Sequence, residues 1–321
     1  MRSSRSNNRN NSIRPRIGIT LGDPAGIGPE IVMKALAKSS IGKIADFRII
    51  GDPSLTPQYR YTGNWIEPAL VPAAKITPGK PSRYSAAASF SYLEKAVELL
   101  KTEQIDALVT APVSKEGIAS LGKKFLGHTE FLAEAFHVKN FEMMFVSETL
   151  RTIVVTRHIP LVEVSRAVTA EKVYDTISLA QQSLRKFFQI PRPRIGVCGI
   201  NPHAGEAGHI GKEEGRKVIP AIRRAQKAGI DVQGPLAADT VFSPVIHKNA
   251  FDVIIAMYHD QGLIPIKTLH FPQVVNLTIG LPFIRTSPAH GTAFDIAGKN
   301  KADYASMEEA IRLAARLALA V

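Results

Sequence analysis

The chain alternates between short runs of consecutive apolar residues and longer stretches in which apolar positions recur every three or four residues. The first pattern predicts strands buried on both faces, the second amphipathic helices. Strand-like runs are RIGIT (16–20), DFRIIG (46–51), DALVTAP (106–112), FEMMFVS (141–147), RTIVVT (151–156), RIGVCGI (194–200) and FDVIIAMY (251–258). Helical spacing fills 29–39, 85–101, 169–188, 211–229 and 306–320, with Phe90, Leu93, Val97 and Leu100 marking one face of the second. FEMMFVS and RTIVVT are separated by a tight turn and predict an antiparallel pair. The alternation elsewhere predicts an α/β sheet with helices on both faces. A chain of 321 residues is too long for one small core. No Pro/Gly linker divides it, so two intimately packed α/β domains with chain crossings between them are expected.

Composition narrows the class. A hydrophobic content of 45% and a charged content of 21% are those of an ordinary globular protein. No apolar run approaches the roughly 18 residues of a membrane span, so no membrane association is expected. Five of the net +12 charges come from arginines within 1–16. Residues 1–15 are Ser-, Asn- and Arg-rich without an apolar segment, which predicts a disordered basic tail rather than a secretory signal. The remaining basicity suits an anionic small molecule. No helix-turn-helix, zinc-finger or aromatic-basic signature points to nucleic acid. Cys198 is the single cysteine and sits in an apolar strand, so it reads as a buried hydrophobe. Its isolation excludes an internal disulfide and fits a reducing, cytoplasmic location.

Candidate chemistry gathers at strand ends. RTIVVT runs into Arg157-His158, RIGVCGI into Asn201-Pro202-His203, and FDVIIAMY into His259-Asp260-Gln261. Ligands of open α/β sheets bind at the carboxyl ends of strands, and three imidazoles converging there with an open position would suit a divalent metal such as Zn²⁺. Asp260 and Glu206 are then the groups to fix the ring tautomers; each histidine taken alone reads as a hydrogen-bonded structural residue. GDPAGIGPE (22–30) lacks both dinucleotide and P-loop spacing and reads as a structural turn lining a cleft. GHTEFLAEAF (127–136) starts a helix, where His128 and Thr129 either hold a phosphate or carboxylate, or simply cap. Asn276–Lys299 carries one strand, followed by Arg285, His290, Gly291, Thr292 and Asp295 in an irregular stretch. Arg285 is a bidentate partner for an anion, and Asp295 either an acceptor for a ribose hydroxyl or a solvated loop acid.

GDPAGIGPE, TAPVSKEGI, GHTEFLAE, RHIPL, NPHAGE, GPLAADT, MYHDQGLIPIK, GLPFIRTS and HGTAFDIAGK occur in one order, and together they resemble the 4-hydroxythreonine-4-phosphate dehydrogenase family of vitamin B6 biosynthesis. The resemblance runs from about residue 16 to the last helix, making 16–321 one dehydrogenase unit of two subdomains. It implies an isocitrate/isopropylmalate-dehydrogenase-like fold with the active site in the cleft between domains, and a homodimer sharing each site across the interface. It implies that His158, His203 and His259 ligate a divalent metal (Zn²⁺, Mg²⁺ or Co²⁺), one of them supplied by the partner subunit. Substrate contacts are implied for His128, Thr129, Lys267, Asn276 and Arg285. NAD or NADP contacts are implied for His290, Gly291, Thr292 and Asp295. Lys115 and Asp239 are the candidates for proton transfer, against ordinary ion-pair roles.

The implied reaction oxidises 4-phosphohydroxy-L-threonine at C3 and then decarboxylates it to 3-amino-2-oxopropyl phosphate. The alternatives are D-threonate or D-erythronate 4-phosphate as substrate on the same fold, or a zinc-dependent hydrolase using histidine-bound water. Ala289, Asp303 and the apolar FPQVV (271–275) depart from the family's pattern.

Overall fold

The structure is a computed structural model describing residues 14–59, 61, 63–68 and 72–320. The basic tail expected over 1–15 thus lies, up to residue 13, outside the described residues. Eleven described strands form one sheet: β1 (Arg16–Thr20), β2 (Asp46–Ile50), β3 (Asn64–Ile66), β4 (Ala107–Thr110), β5 (Glu142–Val146), β6 (Arg151–Val154), β7 (Ile195–Cys198), β8 (Val232–Leu236), β9 (Val253–Ala256), β10 (Val275–Ile279) and β11 (Ile284–Pro288). Their order is β3-β2-β1-β4-β11-β10-β5-β6-β9-β7-β8.

Two parallel blocks, β3-β2-β1-β4-β11 and β6-β9-β7-β8, are joined by antiparallel pairing through β10 and β5. The chain builds β1 to β4, crosses to build β5 to β9, and returns through β10 and β11. Strands β4, β7, β9, β10 and β11 are buried along their whole length, so both faces of the sheet are covered there.

The helices follow their sequence signals. Arg83–Lys101 opens on a reciprocal capping box between Ser82 and Ser85 and buries Ser89, Phe90, Leu93, Ala96 and Leu100. Ala170–Phe187 starts where Thr169 accepts from the Lys172 amide, and Ala305–Ala318 packs against β11. Asp303, one of the departures, accepts from the Ala305 amide just before that last helix.

Two segments differ from expectation, and a further helix forms where no element was expected. Asn276–Lys299 holds two strands, not one: Arg285 lies on β11, paired antiparallel with β10 through Thr278. The turn between them is carried by Gly280 at φ +95°, where a Cβ would lie 2.4 Å from Asn140 O. The residues after β9 form a helix, His259–His270, with Pro265 inside it. The expected helix 211–229 is a π turn, Glu214–Val218, followed by Ile219–Lys227, with Pro220 just past the junction.

Candidate active site

The three histidine-bearing strands are neighbours: β6 and β7 both flank β9. His158 leaves β6 and His259 leaves β9, and their rings lie 5.5 Å apart between centroids. His259 Nδ1 is 2.7 Å from Asp260 Oδ1, which commits that nitrogen and leaves Nε2 open. Burial, with Lys115 and His259 nearby, holds His158 below the usual imidazole range, so the ring is neutral near pH 7. The amide of Gln261 ties two strand ends together: its Nε2 donates to Gly199 O (2.9 Å) after β7, and its Oε1 accepts from the Met257 N–H (2.6 Å) after β9.

The expected convergence of three histidines is not met within one chain. His203 leaves β7 on residues 203–207, all of positive φ, and its side chain is 61% exposed. Its Nδ1 lies 2.7 Å from Glu206 Oε1, and that carboxylate, with Asp239 farther off, raises its pKa. Among the described residues no three His, Cys, Asp or Glu side chains gather as a metal-binding group. His158 and His259 therefore form one pair in the cleft, while His203 and Asp239 lie outside its lining.

A cleft of about 880 Å³ opens beside the first pair. Lys115, His128, Thr129, Asn276, Arg285, Lys267, His290 and Gly291 all line it, although they come from both ends of the sequence. Arg285 is 2% exposed. Its Nε and Nη2 donate to Thr110 Oγ1 (3.1 and 2.6 Å) and its Nη1 to Thr278 Oγ1 (3.1 Å). Among the described residues it has no carboxylate partner. Burial pushes it down to about 9, which leaves it cationic at neutral pH. A buried guanidinium held only by hydroxyls still has a charge to satisfy, and an anion does so best.

The helix His128–Ala135 points its N-terminus into the same cleft. Thr129 does not cap it; its hydroxyl sits 3.4 Å from that of Thr278. Among the described residues the buried His128 Nε2 has no partner, and burial, Arg285 and Lys115 hold the ring well below its usual range. Lys267 Nζ donates to Ala289 O (3.3 Å), so a backbone carbonyl at one of the departures anchors a cleft cation.

The remaining expected residues lie elsewhere. Thr292 is outside the lining, and its carbonyl accepts from the Ile27 N–H (2.9 Å). Asp295 is exposed and also outside it. The turn 22–28 is buried against Thr292 rather than lining this cleft, because its glycines let backbones meet: a Cβ at Gly26 would lie 2.8 Å from Thr292 O. Cys198 is fully buried, which pushes its thiol up to about 12 and leaves it inert.

Sequence reasoning missed Arg157, Glu130 and Lys172, which line the cleft, and the threonines under Arg285. Arg157 stacks on Phe141 and faces Glu130 (3.4 Å) and Glu142 (3.8 Å). RHIPL carried the Arg157 signal. The threonines gave none, since alternate strand positions facing one side look like any other sheet residue.

Residues 27–314 match the family described as pyridoxal phosphate biosynthetic protein PdxA. A 4-hydroxythreonine-4-phosphate dehydrogenase from Zymomonas mobilis is 44% identical over 94% of this chain and 95% of its own. A D-threonate 4-phosphate dehydrogenase from Cupriavidus necator is also 44% identical, over 95% and 97%. The crystal structure of 4-hydroxythreonine-4-phosphate dehydrogenase from Klebsiella pneumoniae superposes with a TM-score of 0.86 at 37% identity, covering 95% of this chain and 99% of that one. With the buried arginine, the helix N-terminus and the paired histidines in one cleft, the chain belongs to the pyridoxal phosphate biosynthetic protein PdxA family.

Proposed function

We propose that this protein oxidises 4-phosphohydroxy-L-threonine at C3 with NAD(P)⁺ and releases CO₂ to give 3-amino-2-oxopropyl phosphate. The observation that carries this reading is Arg285, a buried cation without a carboxylate partner among the described residues, facing a cleft that also holds the N-terminus of His128–Ala135. Phosphate binds there, with Arg285 and Lys267 as cations and the first amides of the helix as donors.

His158 and His259 suit a divalent ion: one ring is kept neutral, the other has Nδ1 committed to Asp260, and both lie in the cleft. An ion held there would supply a Lewis acid for oxidation of the C3 hydroxyl, and NAD(P)⁺ would supply the hydride acceptor. The buried, unpartnered Nε2 of His290 and the open surface at Gly291 suit a cofactor group, with Thr292 and Asp295 farther along the same loop. Lys115 takes the hydroxyl proton; its place in the cleft lining with His128 and His158 supports that role.

His203 completes the metal ligands from a second copy of the chain, and Asp239 arrives with it as the second proton carrier. Their outlying position and the exposure of Leu161, Val162, Ile264 and Phe271 near the cleft histidines in sequence support such an interface. Co-expression of His203→Ala with His259→Ala tests this. Each homodimer is then inactive, but half of a random mixture is heterodimer with one intact site, returning about a quarter of native activity. No recovery would mean that all three ligands act within one chain, or that the assembly is not a dimer.

One observation favours D-threonate or D-erythronate 4-phosphate as a second reading. Among the described residues Glu130 is the only acid lining the cleft, against Lys115, Arg157, Lys172, Lys267 and Arg285, so a substrate without an ammonium group meets less repulsion. NADH absorbance with 4-phosphohydroxy-L-threonine and with the two acid phosphates, each with and without chelator, decides. No turnover with any of them would defeat the dehydrogenase reading, and turnover indifferent to chelation would defeat the metal.

A further inference from the structure

His203 is carried by backbone that L-residues rarely adopt. φ is +51° at His203, +53° at Ala204, +80° at Gly205, +41° at Glu206 and +55° at Ala207. Four of these five residues bear a Cβ, and each left-handed residue of that kind costs on the order of 1 kcal/mol. Such a run persists only where its surroundings impose it.

Glu214 is what the surroundings supply. It is 4% exposed, and among the described residues it makes no ion pair. Its Oε1 accepts from the N–H groups of Ile200 (2.8 Å) and Asn201 (2.7 Å), and its Oε2 from Asn201 Nδ2 (3.0 Å). The loop is shaped around this carboxylate. A Cβ at Gly205 would lie 2.6 Å from Glu214 Oε2, and one at Gly199 3.2 Å from Oε1. Glu214 also opens the π turn Glu214–Val218, a distortion of helical winding that concentrates at functional sites. Asn201 is gripped from a second side by Glu213 Oε2 (2.9 Å). The residues before His203 are therefore fixed by charge-assisted hydrogen bonds, while His203 itself stands free with Nδ1 on Glu206.

We propose that Glu214 is a positioning residue for His203: its buried carboxylate sets the left-handed loop so that His203 projects Nε2 outward for a divalent cation. Glu214 touches neither substrate nor cation and acts only through the loop. The proposal rests on the reading of His203 as a metal ligand.

The test uses the full-length purified protein with Co²⁺ as probe. Hydrogen exchange is followed over residues 199–208, and Co²⁺ affinity by titration of its visible absorption. Glu214→Ala is expected to speed exchange in 199–208 at least about tenfold and to weaken Co²⁺ about 10- to 100-fold, as loss of a ligand's support does. Exchange in β1 and β4 stays as in wild type. Glu214→Gln keeps the Oε1 acceptor and turns a donor toward Asn201 Nδ2, so it shows the same pattern more weakly and serves if the alanine variant fails to fold. Faster loop exchange with unchanged Co²⁺ affinity would reduce Glu214 to a structural role and overturn the proposal, as would unchanged exchange. A His203→Ala variant that binds Co²⁺ like wild type would remove the metal reading itself, and the proposal with it.

Discussion

Arg285 shows how one residue's neighbours assign its task. Its donors rest on Thr110 and Thr278, hydroxyls that hold the fork in place without neutralising it. Arg285→Leu is therefore expected to raise KM for the phosphorylated substrate by about 100-fold or more, since each hydrogen bond to a charged group contributes about 1.5–3 kcal/mol. Thermal stability holds or rises, because an uncompensated buried charge is removed; a steep loss of stability with unchanged KM would contradict this. Glu142 carries a second prediction. It is 5% exposed, its Oε2 lies 3.8 Å from Arg157 Nε and has no hydrogen bond among the described residues, and burial pushes it up to about 7 from 4.5. The folded chain thus binds more protons than the unfolded one between pH 4.5 and 7. Its stabilising contribution is complete below that window and is lost as pH rises through it, by at most about 3 kcal/mol. Urea midpoints at pH 5 and 8 should show that slope in wild type and a flatter one in Glu142→Gln.

At the scale of elements, strand ends and the helices that follow them set the chemistry. β6 and β9 pair in register, and this alone brings His158 and His259 together. Gln261 then bridges from the first turn of His259–His270 to the end of β7. Gln261→Leu should leave the β9 strand intact but loosen both histidine-bearing ends, lowering Co²⁺ affinity about tenfold; unchanged affinity would show that the bridge is dispensable. The β10–β11 hairpin holds Arg285 at its depth, and Gly280 is its hinge. Gly280→Ala meets both a positive φ and Asn140 O at 2.4 Å, so a loss of roughly 2 kcal/mol or more is expected by chemical denaturation. The hairpin escaped the sequence because Gly-Leu-Pro between two short apolar runs looks like the tail of one strand. Residues 259–270 escaped because Gly262 and Pro265 argue against helix, and tertiary packing of Leu263 and Ile266 overrode them.

Across the whole molecule, the chain's return through β10 and β11 is what makes a single site. Lys115 and His128 are brought against Asn276, Arg285 and His290 because β11 pairs with β4 and β10 with β5. No local pattern encodes that pairing. The sequence by itself determined the α/β class, most of the strands and helices, and the residue types at strand ends, since apolar periodicity and turn chemistry act over a few residues. It also determined the family, because long motifs in fixed order survive as text. Tertiary structure decided which of those residues meet. Register put His158 beside His259, left-handed backbone carries His203 outside the cleft lining, and Arg285 stays cationic despite its burial, with no carboxylate partner among the described residues. These outcomes depend on contacts between residues far apart in the chain, where geometry and desolvation, rather than local propensity, set position and charge.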